Sequence, residues 1–247
     1  MDNGVIWRLV IVAICSYLVG NFNSAITISK LKGGDVRKMG SGNPGTMNMS
    51  RNYGLKIGLL VFFLDVLKGV IPSFIAGIWF SHLSSVSPLS QPIHILARLC
   101  AGFFAVIGHV FPAFYKFKGG KGIATTLGAL FVSEWWFVWV AGFFAIVYIF
   151  VTKMGAMGSF IATAPTAIFT SIKLYFNYYQ PLVSCGGTIV YYVWCNIFII
   201  GFIALTWFAH RENIKRLLYG EEHDTAWLQM IKDKKLKKKY LKENVGK

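Results

Sequence analysis

Three short segments of this 247-residue chain set glycines beside cations and neutral hydrogen-bonding side chains, a combination suited to holding phosphate. In residues 33–54, Gly40-Ser41-Gly42-Asn43-Pro44-Gly45-Thr46 is followed by Asn48 and Arg51. Glycine lets backbone N–H groups approach an anion, and successive N–H groups form an anion-binding nest. Ser41, Asn43, Thr46 and Asn48 add neutral donors, and the Arg51 guanidinium is a fork matched to phosphate. In residues 108–128, Lys118-Gly119-Gly120-Lys121-Gly122 places two ammonium groups in a glycine turn. A helix starts directly after it, where free N–H groups and the dipole favour anions. Thr125 and Thr126 follow one turn inside that helix. In residues 210–223, His210, Asn213 and Leu217 share one helical face, while Arg211, Lys215 and Arg216 largely face elsewhere. The plainer alternatives are a flexible inter-helix turn, a basic topology anchor, and an amphipathic helix lying on anionic lipid. The last explains the cations of its segment but not the His210–Asn213 pair.

Other chemistries lack their residues. No Gly-Lys-Ser/Thr follows the first segment at P-loop spacing. None of His82, His94, His109, His210 and His223 begins an HxxxxD or HExxH pattern, and no paired metal-ligand spacing occurs. Cys15, Cys100, Cys185 and Cys195 form no CxxC pair, so neither a disulfide framework nor a metal site is expected. No cofactor is implied, and nothing points to nucleic acid. Asp65 and Lys68 fall within an apolar run at i, i+3; a functional pair and a structural ion pair both fit that spacing.

The elements that must position these segments are membrane helices. Only 14% of residues are charged and the mean hydropathy is +0.54, whereas a soluble domain carries about 25% charge. A spanning helix needs about 20 apolar residues, and 5–28, 57–80, 93–115, 155–175 and 186–209 qualify. The first run lacks a persuasive cleavage site, so it reads as a span and not a signal peptide. Residues 122–152 are too many for one span and too few for two full ones.

Charge asymmetry resolves that ambiguity. The net charge of +15 is concentrated between the apolar runs and in the tail. Segment 29–56, segment 116–121, Lys153 and the tail are basic and belong inside, whereas 81–92 carries no Lys or Arg and belongs outside. Returning from Lys121 to Lys153 on one side requires two crossings, met by two short helices joined near Ser133-Glu134. The expectation is an all-α integral membrane protein with seven transmembrane helices, two of them short, N-terminus outside and C-terminus cytoplasmic. Five spans with a re-entrant segment at 122–134 is the competing arrangement. Residues 1–222 read as one polytopic domain and 223–247 as a basic cytoplasmic tail suited to anionic headgroups.

Taken together, GSGNPGTMN at 40–48, GHVFPAFYKFKGGKGIAT at 108–125 and HRENIKRLL at 210–218 resemble the acyl-phosphate-dependent glycerol-3-phosphate acyltransferases, the PlsY family. The likeness covers roughly residues 13–222, with the three stretches in the family's order. It implies a bacterial cell-membrane enzyme acting on the cytoplasmic side. Its reaction would move an acyl chain from acyl phosphate to glycerol 3-phosphate, giving 1-acyl-glycerol 3-phosphate (lysophosphatidic acid) and phosphate, the first acylation of phospholipid synthesis. Carried over position by position, the resemblance implies Lys121, His210, Asn213 and Ser159 as catalytic. It implies Ser41, Gly42, Asn43, Arg51 and Lys121 as substrate- or phosphate-binding. The proton acceptor would be a substrate phosphate, with His210 as the alternative base. The chain departs from the family at Gly20-Asn21-Phe22-Asn23-Ser24, at Ala156 where a serine is common, and in its lysine-rich tail.

A phosphate transporter would explain spans and basic loops, but it favours internal repeats and midplane broken helices, and no repeat is visible. A membrane scaffold leaves the glycine loops unexplained. An acyl-CoA enzyme would be expected to carry the missing histidine–aspartate spacing.

Overall fold

In hydrocarbon every backbone polar group must be satisfied within the chain, which favours helices for these apolar runs. The computed structural model describes residues 3–84, 93–152, 154–184 and 189–219. Lys153, most of the 81–92 connection and the 223–247 tail, on which the orientation and lipid-contact expectations bear, lie outside the described residues. Within them the regular elements are helices: α1 (Asn3–Asn21), α2 (Ser24–Leu31), α3 (Thr46–Tyr53), α4 (Leu55–Ser84), α5 (Ile93–Val110), α6 (Ile123–Thr152), α7 (Gly155–Leu174), α8 (Gln180–Ser184), α9 (Val190–Ala209) and α10 (Arg211–Leu218). Among the described residues six stretches are long and apolar enough to cross a membrane: α1 with α2, α4, α5, α6, α7 and α9, with α5 and α7 each including the turn that follows.

The bundle is organised around α5. Of its most apolar stretch 61% is buried inside the protein, against 11% for that of α6, so α5 is the interior helix, whereas α6 is buried mainly in its first half. Bare glycine allows the closest crossings, as small residues do between membrane helices. A Cβ on Gly20 would lie 2.2 Å from the Ala105 carbonyl oxygen, which seals α1 on α5. One on Gly69 would lie 2.0 Å from the Thr125 carbonyl oxygen, which seals α4 on α6.

The run expected as one span over 5–28 is interrupted at Phe22-Asn23. Asn23 leaves helical geometry (φ −89°, ψ 104°), and its side chain accepts the Ile26 N–H at 3.0 Å. Asparagine is a strong N-cap because its short amide replaces the missing turn of backbone acceptors. Apolar composition concealed this break.

The stretch 122–152 forms α6, with non-helical geometry at Glu134 (φ −132°, ψ 43°), where the two short helices were expected to meet. Its contacts fold it back. Gly122, just before α6, lies beside Val106, Val110 and Thr206. Near the far end of α6, Ile149 and Ala145 pack on Gly158, and the neighbouring Phe160 ring stands 5.3 Å from the His210 ring. Both ends of α6 therefore lie at the end of the bundle where α9 finishes. At the break, Glu134 accepts from Lys173 at 3.1 Å, while Ser171 hydrogen-bonds Asn196 well back along α9. Glu134 is buried and Lys173 partly exposed, so the ion pair offsets the cost of burying the one carboxylate.

Candidate functional site

The three glycine- and cation-bearing segments converge at the α9 end of the bundle. They enclose a cavity of about 810 Å³, whose wall draws on residues 35–51, 115–121 and 209–216. It carries eight Lys or Arg side chains against two carboxylates, Asp35 and Glu212, so it is built to attract anions. Ser41, Gly42, Asn43, Arg51, Lys121 and Asn213 all line it. Ser159 and His210 do not, although Phe160 beside Ser159 packs on the His210 ring.

The first wall is shaped from within. Asn48 is buried and joins the loop to itself. Its amide nitrogen donates to the Val36 and Met39 carbonyls at 3.1 and 2.9 Å, and its oxygen accepts the Ser41 N–H at 3.2 Å. The Gly42 N–H donates to the Met39 carbonyl at 2.9 Å, and the Gly45 N–H to Asn43 at 3.0 Å. An uninterrupted nest of free N–H groups is thus not formed here, and Asn48 is a scaffold, not a donor to phosphate. Gly40 and Gly42 hold the loop at φ of 52° and 69°, the left-handed region that favours glycine.

On α3, Ser50 packs against Gly58 of α4, which turns Arg51 toward the cavity. Arg37, the neighbouring guanidinium, is already held by Asp35, with Nε to Oδ1 at 3.0 Å and NH2 to Oδ2 at 2.7 Å. That ion pair lowers the Asp35 carboxyl to about 2.

The second wall is the Lys118–Gly122 turn. The Gly119 N–H donates to the Val110 carbonyl at 3.2 Å and the Gly120 N–H to that of His109 at 3.1 Å. A Cβ on Gly120 would stand 2.2 Å from His109 Nε2. These two glycines pack on the end of α5, and Gly119 also borders the cavity. Lys121 then donates to Asn213 Oδ1, joining the second wall to the third. Thr125 and Thr126 are buried in the α6 interface, away from the cavity wall.

The third wall follows the end of α9. His210 is buried, and its Nδ1 lies 2.8 Å from the Thr206 carbonyl oxygen. A carbonyl only accepts, so Nδ1 carries the proton and Nε2 keeps its lone pair. Burial, and then the positive charge of Lys121, lower the imidazole to about 4, against the opposing Thr206 hydrogen bond. His210 is therefore neutral at pH 7 and a weak base. Because its affinity for a proton is lower folded than unfolded, stability is full above about pH 6.5 and falls as pH drops toward 4. His210→Gln is expected to remove on the order of 3 kcal/mol of that pH dependence. Detergent melting curves between pH 4 and 7 measure it, and an unchanged slope would contradict this state of His210.

A family model described as Glycerol-3-phosphate acyltransferase matches residues 10–220. A glycerol-3-phosphate acyltransferase of Mycoplasma mobile is 37% identical over 226 residues, covering 86% of this chain and 90% of that protein. One of Aquifex aeolicus is 35% identical over 223 residues, covering 87% and 98%. A crystal structure of PlsY, an integral membrane glycerol 3-phosphate acyltransferase in its glycerol 3-phosphate form, superposes with a TM-score of 0.70 at 36% identity, covering 90% of this chain and 98% of that one. By matched length, identity and fold alike, this helical membrane protein belongs to the glycerol-3-phosphate acyltransferase family.

Proposed function

We propose that the protein transfers an acyl chain from acyl phosphate to glycerol 3-phosphate, releasing 1-acyl-glycerol 3-phosphate and phosphate. The observation that carries this is the cavity whose wall unites Arg51, Lys121 and Asn213 from three separate segments. Two phosphate-bearing reactants repel one another, and the excess of cations there offsets that repulsion. Acyl phosphate is a mixed anhydride, so its phosphate leaves readily without coenzyme A or a metal. Positioning of the two reactants alone can contribute ~7–11 kcal/mol.

The substrate hydroxyl oxygen attacks the acyl carbonyl carbon, and the negative charge gathers on the carbonyl oxygen. Lys121 and the Ser41–Asn43 loop stabilise this charge and hold phosphate. Collapse of the intermediate breaks the bond from carbon to the phosphate oxygen. The hydroxyl proton passes to a substrate phosphate, since an imidazole lowered to about 4 is a poor acceptor at neutral pH. His210 then acts by orientation. Its ring sits between Thr206 and Phe160 at the start of α10, the helix that presents Asn213 to Lys121. Ser159 donates to the Gly155 carbonyl at 3.1 Å and supports that packing from α7.

In this reading the cavity faces the cytoplasm of a bacterial cell, seven helices cross with the N-terminus outside, and the lysine tail rests on anionic headgroups. The test is product stoichiometry. Purified protein given glycerol 3-phosphate and palmitoyl phosphate is expected to form one lysophosphatidate per phosphate released. Phosphate release without acylated product would refute the proposal.

A further inference from the structure

The ion pair Asp65–Lys68 is buried in α4, and it is not a pair alone. The Lys68 ammonium has three protons and meets three acceptors: Asp65 Oδ1 at 2.6 Å, the Phe22 carbonyl oxygen at 2.8 Å and His109 Nδ1 at 3.4 Å. Asp65 also accepts from Ser24 Oγ at 3.1 Å and lies 3.9 Å from the same His109 nitrogen. The cluster therefore ties the break between α1 and α2 to α4 and to the last turn of α5. Asp65, Lys68 and His109 are all buried. Charges at this depth are costly, and a fully satisfied network is rigid.

An ammonium can only donate, so Nδ1 of His109 accepts and the opposite nitrogen, Nε2, faces the glycine turn. There the backbone of Gly120 rests on the ring with no room for a Cβ, while the His109 and Val110 carbonyls hold the Gly120 and Gly119 N–H groups. The next residue is Lys121, whose ammonium reaches across to Asn213. A helix-internal ion pair needs neither the histidine nor the turn. This one ends directly beneath the residue that faces the cavity.

We infer that His109, held by Asp65 and Lys68, is a positioning residue that sets the place of Lys121 through the Gly119-Gly120 turn. The inference rests on the proposed role of Lys121 at substrate phosphate. Without the ring, or with a methyl group forced between ring and turn, the ammonium moves off the phosphate while the cavity and its other cations stay.

The test is a double-mutant cycle on His109→Ala and Gly120→Ala, with KM for glycerol 3-phosphate measured on the folded fraction. Loss of uniform phosphate binding raises KM; a purely structural fault lowers the yield of folded protein and leaves KM unchanged. Each single variant is expected to raise KM about tenfold, and the double variant to stay within about threefold of the worse single one, because both break one contact. His109→Gln, which keeps an acceptor for Lys68 and some bulk beneath the turn but not the ring, should recover only part of the affinity. Gly120→Ala reads the same contact from the turn side, so the inference remains testable if His109→Ala does not accumulate. Wild-type KM in Gly120→Ala, or a multiplicative rise of about a hundredfold in the double variant, would overturn the positioning role. A wild-type protein that acylates no glycerol 3-phosphate would overturn instead the functional reading beneath it.

Discussion

Arg51→Lys is expected to lose nearly as much kcat/KM as Arg51→Ala, although it keeps the charge. The reason lies in the geometry of the first wall. Arg37 is occupied by Asp35, whereas α3 is turned by the Ser50–Gly58 packing so that Arg51 borders the cavity. A guanidinium presents two parallel N–H groups to two phosphate oxygens, and an ammonium on a flexible stem cannot reproduce that fork. Loss of a charge-assisted contact costs ~1.5–3 kcal/mol, or roughly tenfold to a hundredfold in kcat/KM. Steady-state kinetics normalised to folded protein measure it. Near wild-type kcat/KM in Arg51→Lys would show that charge alone suffices at this position.

Lys121→Ala is expected to fall by a similar factor, roughly tenfold to a hundredfold, for a different reason. Lys121 acts as a point charge placed by its surroundings: the turn is fastened to the end of α5, and the ammonium is fixed by Asn213 at the start of α10. Lys121→Arg keeps the charge but adds bulk beside Gly120 and Gly122, so partial activity is expected. The alanine variant should still insert, because Lys116 and Lys118 remain to set orientation. Undiminished kcat/KM in Lys121→Ala would reduce the turn to a topology anchor.

Much of this site was legible in the sequence because phosphate-holding loops need conspicuous residues. Glycines and cations at Ser41–Arg51, Lys118–Gly122 and His210–Arg216 stand out in a chain with so few charges, and all three segments meet at one cavity. The break in α6 was legible from the charge on either side of it, since Lys121 and Lys153 demand a return. What stayed hidden depends on packing. Nothing in the spacing of Gly119 and Gly120 says that they also lie against the end of α5. Asn48 is polar in a polar loop, and only its buried hydrogen bonds reveal a scaffold. Asn23 caps the start of α2 inside an apolar run, where hydropathy registers length but not capping. Asp65 and Lys68 were visible as an intramembrane pair, yet their third partner comes from another helix, forty-one residues on from Lys68.

The central claim is that this cavity pairs two phosphate-bearing reactants, one of them the acyl donor. The most direct measurement is the rate at which purified protein acylates glycerol 3-phosphate from palmitoyl phosphate and, separately, from palmitoyl-CoA at equal concentration. Turnover with palmitoyl phosphate and none with palmitoyl-CoA is the expected result. Equal rates with both donors, or turnover with palmitoyl-CoA alone, would contradict it.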